Sequence, residues 1–243
     1  MRIVKILSLA CVVGGCAAVA DCQVYSGNIV GYINQTLYAG DNYIANQLDT
    51  GSNTLGNIFD SGTVPEGTTF TEWNPATQQF LPTSTYDTVN GWSINYTLNL
   101  TQAGLLDAPS TFVNTFVGSV WSGYNVISQT FTPPLVTASG SVFLSCVIPI
   151  SDAMFYDVVG RDPLNGESVT TLDAATQTYT TTTFENGVWN NGGPSLNIGR
   201  AAFFNLEPAL QPVPEPAACS LVGAGLGLLA ITRRFFQRKE REA

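Results

Sequence analysis

The chain has 243 residues, 9 basic and 18 acidic side chains, no histidine and a net charge of −9. The missing imidazole excludes Ser-His-Asp and Cys-His nucleophilic catalysis and most zinc sites. Residues 21–212 carry fifteen acidic side chains against two arginines, a net −13, which argues against nucleic acid or anionic membrane surfaces as partners because both demand clustered Lys and Arg.

Arg2 and Lys5 precede an apolar segment over 6–20. Ala18-Val19-Ala20 is a small-x-small cleavage site, so residues 1–20 read as a secretory signal helix and Asp21 becomes the new N-terminus. A competing reading takes Val13-Gly14-Gly15-Cys16 as a lipobox with Cys16 lipidated. Of five cysteines, Cys11 and Cys16 lie in this leader and Cys219 near the other end. Cys22 and Cys146 remain, and an oxidising compartment permits a disulfide between them. The alternative is two free thiols.

The middle of the chain contains an internal repeat. Residues 74–80, NPATQQF, match 173–179, DAATQTY. Gly67 and Phe70 match Gly166 and Val169, Trp92 matches Trp189, and 98–100 and 105–106 match 196–198 and 203–204. At the front, 29–31 echo 116–118, and 43–45 echo 125–127. The units run over 25–114 and 115–208, and the second has an insertion near 130–152 that includes the apolar run 142–150. Thr, Val, Ile and aromatic residues alternate with polar ones, which predicts short strands. Asn90-Gly91, Asn186-Gly187 and Asn191-Gly192 are hairpin signals, since both turn positions tolerate positive φ. The expected fold class is all-β: two tandem units forming β-sandwich or barrel-like domains, with a signal helix before and a transmembrane helix after.

Three stretches resemble a repeated module of secreted bacterial proteins. They are Gly123-Tyr124-Asn125-Val126-Ile127-Ser128, then Trp73-Asn74, then the run from Leu196-Asn197-Ile198-Gly199-Arg200 to Phe204. The first unit departs from that pattern, with Thr101 where the second has Gly199. The resemblance implies a β fold and a surface role, and it brings no catalytic residue.

Little in the body points to chemistry. Paired carboxylates could hydrolyse glycosides, and Asp152, Asp157, Asp162, Glu167 and Asp173 are the candidates, but a solvated acidic surface explains them as well. Asp162, Asn165 and Glu167 around Gly166, or the stretch from Asp49 to Asn53, offer oxygen ligands for Ca2+ without matching the twelve-residue loop. An acidic turn is the plainer reading, and no metal is assigned. Four tryptophans could stack on sugar rings. Trp92 and Trp189 occupy equivalent repeat positions and read as core, which leaves Trp73 and Trp121 as glycan-stacking candidates.

The chain then turns proline-rich over 209–216, a stiff spacer. Val213-Pro214-Glu215-Pro216 precede an apolar segment over 217–232, taken as a transmembrane helix. Residues 233–243 form a basic cytoplasmic tail with Arg233, Arg234, Arg238, Lys239 and Arg241 as the stop-transfer cluster. The proline motif, apolar segment and arginine cluster together resemble the PEP-CTERM sorting signal of Gram-negative bacteria. That resemblance implies recognition by an exosortase, a membrane-embedded Cys protease-transpeptidase, which removes the helix and tail. The expected protein is exported, non-enzymatic and associated with the cell surface or an exopolysaccharide matrix. The alternatives are a carbohydrate-binding module and an uncleaved tail-anchored surface protein.

Overall fold

The computed structural model describes residues 29–125 and 128–208. In chain order the first elements are β1 (Val30–Leu37), β2 (Gly40–Ala45), α1 (Leu55–Ile58), β3 (Thr69–Asn74), β4 (Gln79–Phe80), β5 (Ser84–Asp87), β6 (Gly91–Trp92), β7 (Ala103–Ala108) and β8 (Phe112–Ser119). They are followed by β9 (Gly140–Leu144), α2 (Phe155–Val159), β10 (Ser168–Asp173), β11 (Thr178–Glu185), β12 (Val188–Trp189) and β13 (Ala202–Leu206). The described body is therefore mostly β, with two short helices.

Period-two alternation builds β1 and β8. Ile33, Gln35 and Leu37 are buried while Tyr32, Asn34 and Thr36 are exposed. On β8, Phe112, Asn114 and Phe116 point inward, and the two strands pair antiparallel with Gly31 opposite Gly118. Segments 29–31 and 116–118, which resemble each other in sequence, are thus partners in one ribbon.

Two open sheets carry the rest. The first has the order β2-β7-β3-β5-β6, with β4 paired to β3. The second has the order β9-β13-β10-β11-β12. Both orders are open at each end, so the barrel-like expectation does not hold. Within the stretch expected as an insertion, β9 stands at the edge of the second sheet and takes in residues 142–144 of the apolar run 142–150. Of the echo assigned to 125–127, Asn125 forms an isolated antiparallel bridge with Thr130, and residues 126–127 lie outside the described set.

Each sheet buries two faces. Phe70, Leu106 and Ile44 pack with Ile33, Leu37 and Phe116 of the ribbon in one core. Val169, Phe204 and Val142 pack with Cys146, Phe155 and Val159 in a second. The opposite faces meet in a seam of Tyr43, Phe143 and Leu172, flanked by Trp73, Leu105 and Phe203. Phe143 and Phe203 stack at 4.1 Å, and Tyr43 meets Phe143 edge-on at 4.7 Å. Aromatic pairs in such geometries add about 0.5–1.5 kcal/mol each beyond the area they bury.

The turns follow their residues only in part. Asn186 and Gly187 both have positive φ, 52° and 83°, and join β11 to β12 by a two-residue turn. Around Asn90-Gly91 only the glycine does, at 76°. There the Asp87 carboxylate accepts the amides of Val89 and Asn90, so a longer side-chain-capped turn replaces the two-residue one.

Candidate functional site

A cleft of about 460 Å³ opens beside Trp121 where the ribbon ends. Its floor is a two-residue bridge. The Asp49 amide donates to the Ser119 carbonyl and the Ser119 amide to the Asp49 carbonyl, both at 2.8 Å. Gly118 allows this approach, because a Cβ there would lie 2.7 Å from the Asp49 carbonyl oxygen. Trp121 folds back over Gly123, where a Cβ would lie 2.2 Å from its ring, and the Tyr124 amide closes the turn on the Trp121 carbonyl at 3.1 Å. Asp49, Thr50, Ser119 and Ser122 line the cleft with Trp121 and Leu100. A half-buried indole beside hydroxyls and a carboxylate suits a ring that has one apolar face and polar edges.

The same turn bears on the calcium candidates. One Asp49 carboxylate oxygen accepts the Gly51 amide and the Asn53 side-chain amide, while Asn53 accepts from Thr50 and Asn46. Glu167, wholly buried, is the anion of an ion pair with Arg161 and also accepts the amides of Leu164 and Glu207. Its oxygens are thus committed to the fold. Among the described residues no group of three or more acidic or cysteine side chains gathers to hold a metal.

The carboxylate candidates are similarly dispersed in their duties. Asp157 caps α2 by accepting the Met154 amide at 2.8 Å, and Asp152 accepts from the Ser195 hydroxyl. Asp173 caps a turn, and bonds from Thr176 and Ala175 hold its carboxyl below the usual range. Asp162 flanks Arg161, which donates to its carbonyl rather than its carboxylate.

The structure separates the two stacking candidates. Trp73 lies in the seam, its indole N–H donating to the Ser141 carbonyl at 2.8 Å and its ring meeting Phe80 and Phe203 edge-on at 5.0 and 5.2 Å. Trp121 lines the cleft. Trp92 and Trp189 pack in the first and second cores, against Phe59 and Phe155. The cleft's polar partners at Asp49 and Ser119 were not legible in the sequence, because a bridge across seventy residues of chain assembles them.

Residues 212–239 match the family model described as the PEP-CTERM protein-sorting motif. The chain carries a PEP-CTERM sorting signal. Neither a curated protein nor a solved structure matches it. A PEP-CTERM signal directs export and processing at the membrane by an exosortase. Val213, Pro214, Glu215, Pro216 and the arginines from Arg233 to Arg238 all fall inside the matched stretch. The sorting motif, the expected transmembrane helix, the basic tail and the signal cleavage site at Ala18, Ala20 and Asp21 lie outside the described residues. Among the described residues no helix is long and apolar enough to cross a membrane. Of the cysteine pair, Cys22 is also outside. Cys146 is a buried free thiol, and burial pushes it up to about 11.

Proposed function

We propose that this is a non-enzymatic protein of the cell surface or exopolysaccharide matrix, detached from its tail by an exosortase. The observation that carries the reading is the sorting motif at 212–239, at the far end of a β body in which the carboxylates of Asp152, Asp157, Glu167 and Asp173 serve local structure. The Trp121 cleft favours one refinement, in which the body holds to extracellular glycan by stacking a sugar ring on that indole.

The test is the intact mass and cell fraction of the protein from its native cells. A chain ending near residue 216, found at the surface or in the medium, is the expected result. A mass that includes 217–243, in the membrane fraction, would make the chain an uncleaved tail-anchored protein and remove the matrix reading. For the refinement, Trp121→Ala should abolish retention on the native polysaccharide while Trp73→Phe leaves it unchanged.

We also infer that the body is a duplicated unit. Support comes from the matching strand orders of the two sheets. It also comes from reciprocal contacts at repeat-equivalent positions. The Gln78 side chain accepts the Ser141 amide and donates to its carbonyl, at 2.8 and 3.0 Å. Gln177 does the same to Asp41 at the same distances. The bridge from Ile44 to Arg200 is likewise mirrored by that from Leu144 to Gln102.

A further inference from the structure

A second pocket, of about 340 Å³, lies where β10, β11 and the loop before β13 meet Tyr38 from the turn between β1 and β2. Its wall includes Arg200, Asp173, Thr180, Ser195 and Asn197. Its size falls at the lower end of small-molecule clefts, roughly 300–1,000 Å³.

Arg200 is unusual in three respects. It is one of two cations in the region 21–212, and the other, Arg161, is neutralised by contact with Glu167. Among the described residues Arg161–Glu167 is the sole ion pair, so no carboxylate touches Arg200. Its Nη2 donates to the Thr36 carbonyl at 3.3 Å, while Nη1 is buried with no hydrogen-bond partner in the protein. Burial lowers its pKa, so the guanidinium is held in a setting that disfavours its charge. Asp173 and Tyr38 are the titratable groups around it, and Asp173 acts on it only through space.

The fold does not need this charge. The backbone bridge that Arg200 makes to Ile44 is made on the other side by Gln102 to Leu144, with a neutral side chain. A half-buried guanidinium on a pocket wall with no carboxylate against it can take an anion from outside once the side chain turns Nη1, closed to solvent here, toward the pocket. Planar guanidinium favours carboxylate, by paired N–H donation. The surrounding hydroxyls and amide of Thr180, Ser195 and Asn197, with the Asp173 carboxylate as acceptor, suit a ligand rich in hydroxyl groups.

We propose that this pocket binds a hexuronate unit, its carboxylate on Arg200 and its hydroxyls on Asp173, Asn197 and Thr180. The net −13 of the body does not forbid this, since charges beyond a Debye length of about 8 Å are largely screened at physiological salt. The proposal deepens the matrix reading by naming an acidic polysaccharide as the glycan.

The experiment titrates the natively processed protein with D-glucuronate and D-galacturonate, and with D-glucose and D-galactose as neutral probes, followed by NMR. Both uronates should shift the amides of Thr180 and Asn197, and the neutral sugars should not. Arg200→Gln places there the side chain that the first sheet already uses. It should weaken uronate binding at least tenfold with the melting temperature unchanged. Thr180→Trp, at an exposed wall position, should block binding with Arg200 intact. Equal response to uronate and neutral sugar, or unchanged uronate affinity in either variant, would overturn the proposal. Polysaccharide retention that depends on Trp121 but not on Arg200 would sink this pocket and leave the matrix reading standing. Arg200-dependent uronate binding by a chain that keeps its tail in the membrane would do the reverse.

Discussion

Thr101 holds a backbone that suits it poorly. Its φ is 73°, left-handed and rare for a β-branched residue. Its carbonyl accepts the Ser145 amide at 3.1 Å, and Gly199 does the same for Ala45 at φ 74°. The contact imposes the conformation, and the glycine meets it without strain. Thr101→Gly should therefore raise stability by about 1 kcal/mol, read from denaturant midpoints. A loss would mean that the threonine side chain makes up the strain elsewhere. Cys146 gives a pH dependence. Its thiol is raised from the ordinary 9.0 to about 11, chiefly by burial. Above pH 9 the unfolded chain releases this proton while the native one keeps it. Its contribution is whole below pH 9 and is lost as pH rises to about 11. Cys146→Ala should flatten the fall in stability across that window, and an unchanged slope would assign the fall to other groups, with Tyr43, raised to about 12, the first to consider.

At the scale of elements, two edge strands need covering, since an open edge offers unpaired amides and carbonyls to other chains. The ATQ turns do this. Gln78 sits on β9 beside Gly140, and Gln177 on β2 beside Gly40, each glutamine at positive φ of 54° and 57°. A carboxamide presents one acceptor and one donor, as a strand residue does, and so closes two backbone bonds at once. Replacing Gln78 and Gln177 together by Ala should destabilise by about 1–2 kcal/mol per site and make the chain prone to edge association. Light scattering at constant concentration would report the second effect, and a variant that stays monomeric and fully stable would remove the edge role. The sequence match of 74–80 with 173–179 flagged these turns as equivalent. It could not say that each reaches across to the other sheet, because that contact joins residues more than sixty positions apart.

For the whole molecule, the seam decides how the two sheets behave. Phe203 stacks on Phe143 and meets Trp73 and Tyr43 edge-on at 5.2 and 5.6 Å. Both sheets thus share one aromatic layer in addition to their separate cores. A single calorimetric transition is expected, and Phe203→Ala should lower it as a unit by about 2–4 kcal/mol. Two resolved transitions in the parent chain would show that the sheets unfold as separate domains.

The C-terminal motif, apolar segment and arginine cluster work through local sequence, so the sorting signal at 212–239 could be read directly. Alternation and Asn-Gly turns pointed to the β class, because strand faces are written in neighbouring residues. Tertiary structure decided the rest. Residues 142–144 of the apolar run 142–150 joined an edge strand because β13 offered them a partner. Trp73 and Trp121, equal candidates by residue type, parted company because one met Phe80 and Phe203 and the other met Asp49 and Ser119. Arg200 gained its pocket wall from Tyr38 and a hydrogen-bond acceptor from the Thr36 carbonyl, both far away in the chain. Burial and the absence of a partner are properties of three-dimensional surroundings, and they determine what a guanidinium or an indole is free to bind.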